Sequence, residues 1–409
     1  MCGIAGFCNF KEDFEENTDY WNFRLEKMRA VLAHRGNDAR GRFLKKHIGL
    51  SHSRLAIRDI LCGDQPMTRT HNGYDYTICY NGEIYNTDEL IPELSENGFV
   101  CSTTSDTEVI LYAYIHWGAD FVNRLNGIFA FAIWDAAKNR LLLYRDRVGV
   151  KPLFYAIRGD SLVFGSEPKA CFAHPAVKPE LDKQGLQELL AIGPAHTSGL
   201  SLFKDLFEVL PGHFMIYSRD GLHDETYWEL TSREHTESYQ DTVAHTRFLV
   251  EDAIKRQMVS DVPVCTFLSG GIDSSIVTAI AANYMNTHGK TLNTFSFDFK
   301  DNDRYFKANA FQPERDLPYV NRMLEEYETA HSYLECDENS LFKALFAAVD
   351  AKDMPGMTDV DSSLLYFCSL VSRKNKVALT GECADEIFGG YPWFYRKELL
   401  ERYGFPWSS

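Results

Sequence analysis

Cys2 stands directly behind the initiator Met1. With Met1 removed, that one residue carries both a thiol and a free α-amine, so nucleophile and base arrive together. An α-amine titrates near about pH 7.7–8.0, which leaves a useful neutral fraction to accept the thiol proton in the cell. A lone cysteine is more often a buried hydrophobe, and position is what sets this one apart. A second chemistry is written in Ser269-Gly270-Gly271-Ile272-Asp273-Ser274-Ser275. Val264 to Leu268 reads as a buried strand, the glycine pair breaks it, and Ile276 to Ala282 continues as a helix that packs on a sheet. Glycines let a ligand approach the main chain, and the N–H groups and dipole of the helix start favour an anion. The ligand that suits this loop is a phosphate or pyrophosphate. Neither GxxxxGK[ST] nor GxGxxG is present at this loop, so a P-loop nucleotidase and a dinucleotide dehydrogenase are not indicated. A third cluster, Gly381-Glu382-Cys383-Ala384-Asp385-Glu386, sets three carboxylates after the short strand Lys376–Leu379. Such crowding is costly unless a cation or a proton relieves it, although acidic residues also suit an ordinary helix start.

The elements around Cys2 read as strands and one helix. Gly3 to Phe7 is strand-like, and a helix built on Phe23, Leu25, Met28, Val31 and Leu32 ends at His34-Arg35-Gly36-Asn37-Asp38. Three further segments place polar groups among β-rich apolar residues: Ser51–Ile57, Tyr80–Asn86 and Thr104–Glu108. In them Arg54 suits a carboxylate as a bidentate guanidinium, Asp106 suits an ammonium, and Asn81 with the Gly82 N–H suits an oxyanion. Singly, these are as readily a surface ion pair and a hairpin turn. From Ser238 onward the pattern alternates helix, strand, loop, helix, strand, the signature of a parallel sheet with ligands beyond its C-terminal strand ends.

In their order along the chain, the N-terminal segments resemble the class II, N-terminal-nucleophile glutamine amidotransferases over residues 2 to about 215. Asn126–Asp135, Tyr144–Leu153 and Gly165–Lys169 carry further matches. The resemblance implies a four-layer αββα sandwich with Cys2 as nucleophile, Asn81 and Gly82 as oxyanion hole, and Arg54, Asn81, Gly82, Glu83 and Asp106 around glutamine. Asn37 departs from the family's usual proline in His-Arg-Gly-Pro-Asp, which touches loop rigidity rather than chemistry. SGGIDSS resembles the pyrophosphate loop of the ATP pyrophosphatases, and GExxDExFGGY beside it resembles the asparagine synthetases. That second resemblance implies a parallel-sheet domain that takes ATP and Mg²⁺ and activates aspartate. Its site would comprise Leu268, Ser269, Gly270, Gly271, Asp273, Ser274, Phe297, Thr380 and Gly381 around ATP, Asp273 and Asp385 on the metal, and Glu382 as acid/base. Asp353–Leu364 falls where relatives hold the amino-acid substrate, yet its wording differs from theirs.

The expected division is a glutamine amidotransferase domain over 1–215, a polar connection over 216–240 and a nucleotide domain over 241–409. A chain of 409 residues is long enough for two cores. The resemblance implies further helices past Ser409 and a lysine that neutralises pyrophosphate, so the second domain is expected to be truncated relative to the family, whether by nature or because the sequence is part of a longer protein, with synthetase activity impaired if nothing else supplies that lysine. At 45% hydrophobic and 24% charged residues the composition is that of a soluble globular protein. A net charge of −16 disfavours general binding to nucleic acid or anionic membrane. No apolar run reaches the roughly 18 residues that span a bilayer. Ten cysteines without a CxxC pair fit reduced thiols rather than a disulfide scaffold or zinc site. A cytoplasmic enzyme is expected, with glutamine, aspartate and ATP as its partners and homodimer formation left open. The chief rivals are an amidating synthetase for a different carboxylate and a remnant that retains only glutamine binding or hydrolysis.

Overall fold

The computed structural model describes residues 1–193, 196–308 and 314–401. It divides into two compact units, Met1–His235 with Phe346–Asp361, and Thr236–Leu345 with Ser362–Ser409.

The first unit is built on two six-stranded antiparallel sheets. One holds β1 (Gly3–Asn9), β2 (Ala39–Lys45), β3 (Ile48–Arg54), β8 (Phe154–Arg158), β9 (Ser161–Gly165) and β10 (Phe207–Glu208), in the order β10-β8-β9-β1-β3-β2. The other holds β4 (Met67–His71), β5 (Tyr74–Ile84), β6 (Gly127–Asp135), β7 (Arg140–Arg145), β11 (His213–Ser218) and β12 (Gly221–Thr226), in the order β12-β11-β7-β6-β5-β4. Strand alternation sorts side chains into three buried layers. Ile4 and Cys8 of β1, Ile48 and Leu50 of β3 and Cys79 of β5 share the core between the sheets. Phe7 turns outward to join Leu25, Met28 and Leu32 from α1 (Thr18–Ala30) and its exit, together with Ala170 and Cys171 of α4 (Pro168–Phe172). Tyr80 and Ile84 turn the other way, onto Leu90 of α2 (Thr87–Glu96) and Val109, Ile110 and Ala113 of α3 (Asp106–Trp117). The result is the αββα sandwich. A further helix, α5 (Lys183–Ala191), lies near the end of this unit's main segment.

This parity positions the chemistry. Even-numbered residues of β1 and β3 face the inter-sheet space, and β1 pairs with β3 so that Gly3 meets Ser53 and Ile4 meets His52. Continued by one step, Cys2 stands opposite Arg54. On β5, Cys79 faces inward and Tyr80 outward, so Asn81 returns to the inner face.

Two sequence expectations are corrected here. Phe23 and Val31 are 54% and 36% exposed, because the buried stripe of α1 runs through Trp21, Leu25, Met28 and Leu32 at helical spacing. Residues 216–226 are not a connection: Ser218-Arg219-Asp220-Gly221 is the turn of a β11–β12 hairpin. β12 is an edge strand with Asp224, Glu225 and Thr226 in solvent, and this polarity made it read as a linker. The chain leaves the sheet only after Trp228, whose N–H donates to Gly212.

The second unit is organised by a four-stranded, wholly parallel sheet of β13 (Val264–Phe267), β14 (Leu292–Phe299), β15 (Thr329–Cys336) and β16 (Val377–Leu379), in the order β15-β14-β13-β16. Its helices are α6 (Tyr239–Arg256), α7 (Ile272–Thr287), α8 (Asn302–Tyr305), α9 (Leu317–Glu326), α10 (Glu338–Lys352) as far as Leu345, α11 (Thr358–Val371) from Ser362 onward, α12 (Ala384–Phe388) and α13 (Lys397–Leu400). Val264 and Leu292 bury against Ala281 and Ala282 of α7, while Cys265 and Phe295 bury on the opposite face against Phe367 and Val371 of α11. Among the described residues no helix is long and apolar enough to cross a membrane.

Candidate active sites

Cys2, Arg54, Arg58, Gly82, Glu83 and Asp106 line one cleft in the first unit. The Cys2 thiol lies against the main chain of Leu55, donating to its carbonyl at 3.6 Å and accepting its N–H at 3.4 Å. Asn81 is 1% exposed, and its Nδ2 has no hydrogen-bond partner. A buried amide donor left unpaired among the described residues is costly, so this atom is open to an acceptor such as water or a ligand oxygen. Asn81-Gly82 is no hairpin turn: it sits inside β5, paired across to Ala130 and Phe129.

Charge in the cleft is divided. Arg54 is buried and gives its guanidinium to the carbonyls of Arg58, Asp59 and Ile60 and to Asp64, so the loop over 58–64 folds onto it. The cleft has a volume of about 30 Å³, room for water only. As it stands, the cleft has no room for a ligand of amino-acid size. Asp106, at the first turn of α3, accepts from the Tyr80 hydroxyl at 2.8 Å and the Ile84 N–H at 3.1 Å. Burial raises the proton affinity of Asp106, while Arg58 and the hydrogen bonds from Ile84 and Tyr80 oppose that rise. Glu83 is likewise raised, by burial first and then by the Asp106 charge, and its Oε2 has no partner. Asp106 is buried and Glu83 half-buried, and each acid makes the other costlier to ionise. Burial also raises the Cys2 thiol, with the Leu55 N–H working the other way, so the thiol needs a base at hand.

Several participants carried no separate signal in the sequence. Arg58, four residues beyond Arg54, reaches Ile84 O at 2.9 Å and Thr87 Oγ1 at 3.3 Å and supplies the positive charge nearest the acid pair. Arg35 donates to the Cys2 carbonyl, and Glu167 receives Arg35, His34 and Lys169 together. The His34-Arg35 and Gly165–Lys169 strings were legible as matches, but their mutual contact was not.

In the second unit β13 runs into Ser269-Gly270-Gly271, and α7 begins at Ile272 with Asp273 in its first turn. Gly270 has φ +90°, and a Cβ there would come 2.8 Å from Asp316 O, so both conformation and space require glycine. Ser274 Oγ closes the loop, 2.9 Å from Ser269 Oγ and donating to Gly271 O at 3.1 Å. Gly381, just past β16, approaches so closely that a Cβ would lie 2.7 Å from Ser274 N. That contact brings the acidic cluster to the loop: burial first and the Asp385 charge second raise Asp273. A cavity of about 260 Å³ lies beside it, lined in part by Leu268, Ser269, Phe297, Asp298 and Phe367. Gly270, Gly271, Asp273, Ser274, Thr380 and Gly381 are not among its lining residues but border the loop, and Glu382 is exposed.

Residues 1–228 match the family model of the glutamine amidotransferase domain, and residues 245–409 match that of asparagine synthase. The putative asparagine synthetase (glutamine-hydrolyzing) 2 of Methanocaldococcus jannaschii is 32% identical over 419 residues, covering 96% of this chain and 76% of that protein. The chain belongs to the glutamine-hydrolysing asparagine synthetase family. Within that family, asparagine synthetase (glutamine-hydrolyzing) 3 of Bacillus subtilis is 48% identical over 408 residues, covering 100% of this chain and 66% of the relative. The amidase chyE of Penicillium rubens is 32% identical over 427 residues, with 100% and 62% covered. The chain therefore spans slightly less than two thirds of the length of the Bacillus and fungal relatives. In this asparagine synthetase family member, Asp353 belongs to the first unit despite its place in the asparagine synthase sequence. The Lys169 N–H donates to Asp353 Oδ2 at 3.0 Å, and Lys169 Nζ pairs with Oδ1 at 3.2 Å.

Proposed function

We propose that this chain hydrolyses glutamine at Cys2 and uses the ammonia to convert an ATP-activated aspartate β-carboxylate into asparagine. Cys2 Sγ attacks the side-chain amide carbon of glutamine, and the Cys2 α-amine takes the thiol proton. Asn81 Nδ2 and the Gly82 N–H hold the oxyanion. The proton passes to the departing nitrogen as the C–N bond breaks, and water then hydrolyses the thioester to glutamate. Arg54 takes the substrate carboxylate, and Asp106 with Glu83 takes the α-ammonium. In the second unit the Ser269–Ser274 loop receives the pyrophosphate portion of ATP, with Leu268 and Phe297 beside adenine and ribose. A β-carboxylate oxygen of aspartate attacks the α-phosphorus, pyrophosphate leaves, and ammonia displaces AMP from the acyl carbon with Glu382 managing its proton.

The observation that supports the reading is the buried Asn81 amide, unpartnered among the described residues, on the inter-sheet side of β5 and next in sequence to Tyr80 and Gly82, which line the cleft with Cys2, Arg54, Glu83 and Asp106. Asp273 and Asp385 fit Mg²⁺, which takes one or two carboxylates and completes its shell with water and phosphate oxygens. Among the described residues no group of three or more potential metal ligands occurs. When bound, the ion neutralises phosphate charge as pyrophosphate departs. A cytoplasmic setting is supported by ten cysteines, none paired in a disulfide. Sedimentation distinguishes a monomer from a homodimer.

A second reading, amidation of a different carboxylate, is favoured by the unfamiliar wording of Asp353–Leu364 and by the likeness to a protein named an amidase. The experiment supplies [amide-¹⁵N]glutamine, ATP and Mg²⁺ with aspartate or a panel of acids and follows ¹⁵N. Label in asparagine supports the first reading, label in a different amide the second. Glutamate formed with no labelled amide would leave only a glutaminase.

A further inference from the structure

Lys151 is a buried cation without an anion. It follows the Val148-Gly149-Val150 turn between β7 and β8, is 8% exposed, and its Nζ lies 3.2 Å from Met1 Sδ. Among the described residues no carboxylate pairs with it. A thioether is a weak acceptor, and an ammonium enclosed with no better partner is costly. Its partner is also the residue whose removal creates the Cys2 amine.

The charges around that amine come from every neighbouring element. Arg35 donates Nε to the Cys2 carbonyl at 2.8 Å and lies 3.9 Å from Met1 Sδ. Arg54 stands across the β1–β3 register. Glu83 enters from β5 but is held toward its neutral form. Asp146 is already committed to the N–H groups of Phe129, Val148, Val150 and Lys151. Lys151 is itself lowered, by burial first and the Arg35 charge second, with Glu83, Asp146 and Cys2 opposing. The Met1 amine, one residue before the Cys2 nitrogen, is pulled down to about 5, by burial first, with Arg35 and Lys151 adding to it and Cys2 and Glu83 opposing. Although half of Met1 is exposed, its amino end is enclosed.

We propose that, after Met1 is removed, Lys151 is the positioning residue of the Cys2 α-amine: its buried ammonium holds that amine unprotonated, ready to take the thiol proton. The inference rests on Cys2 as the nucleophile. Burial raises the Cys2 thiol, so the unprotonated amine is what supplies the base for its proton.

The test uses the full chain with Met1 removal verified by mass. Formaldehyde condenses with an N-terminal cysteine to a thiazolidine, and its rate rises with the unprotonated amine, so the pH midpoint reports the amine independently of glutamine turnover. The midpoint should lie about one pH unit or more below that of the free peptide Cys-Gly-Ile-Ala-Gly. Lys151→Met and Lys151→Gln should raise it, and the acid limb of kcat/KM for glutamine should move with it, whereas Lys151→Arg should leave both in place. A wild-type midpoint at or above the peptide's overturns the proposal even if no variant folds, as does an unmoved midpoint in folded Lys151→Met. A low midpoint without glutamine hydrolysis would contradict the function proposed for Cys2 while leaving the electrostatic role of Lys151 standing.

Discussion

Arg35 joins the nucleophile's own main chain to a buried carboxylate: Nε donates to Cys2 O at 2.8 Å and Nη1 to Glu167 Oε1 at 2.7 Å. Through Glu167 the restraint continues to His34 and to Lys169, which pairs with Asp353. The residue before β1 is thus held by Arg35, which is in turn tied to side chains from two other distant parts of the sequence.

Glu167 makes this restraint sensitive to acid. Burial works to raise its carboxyl, but the hydrogen bonds from His34, Lys169 and Arg35 and the Arg35 charge prevail and hold it at about 2. A carboxyl depressed on folding stabilises the fold above its unfolded value of about 4.3 and loses that contribution as pH falls toward about 2. Stability should therefore drop through this window, and Glu167→Gln should flatten the dependence while lowering stability at neutral pH. Urea unfolding at stepped pH reads both effects.

Asn81→Ala should lower kcat for glutamine hydrolysis by about 10²- to 10³-fold, the range for loss of one oxyanion donor. Because Nδ2 has no partner in the resting protein, the variant should melt at or above the wild-type temperature. A large fall in melting temperature with kcat intact would assign Asn81 a packing role instead.

Gly270→Ala places a Cβ at φ +90° and 2.8 Å from Asp316 O. A cost of about 1–2 kcal/mol or more is expected, with ATP-dependent turnover lost before glutaminase activity. Differential scanning calorimetry and the two activities measured side by side test this.

Asp273→Asn should cut aspartate-dependent ATP turnover by about 10²-fold or more and leave glutamine hydrolysis within about twofold, since it removes one carboxylate from the Asp273–Asp385 pair. Raised Mg²⁺ should partly restore the rate. Equal loss of both activities would mean a general unfolding.

Where function was legible, short-range physics had left its mark. The strand, glycine turn and helix at 264–287 are each set by a few adjacent residues, and the structure places all three as read. Alternation on β1, β3 and β5 likewise encodes which residues face between the sheets. What escaped depends on long-range pairing. Arg58 gains its role only when β3 and β5 set it beside Glu83 and Asp106, and Asp353 only when Lys169 meets it. The β12 edge strand was misread because solvent on its flank permits the same polar residues as a linker.

The most direct test of the proposed chemistry follows oxygen. Aspartate labelled with ¹⁸O in its β-carboxylate is incubated with the chain, ATP, Mg²⁺ and ammonium, a supply that bypasses Cys2. Attack of that carboxylate on the α-phosphorus predicts asparagine, pyrophosphate and AMP, with one ¹⁸O carried into the AMP phosphate. ADP with label in inorganic phosphate, or AMP free of ¹⁸O, would contradict acyl-adenylate formation.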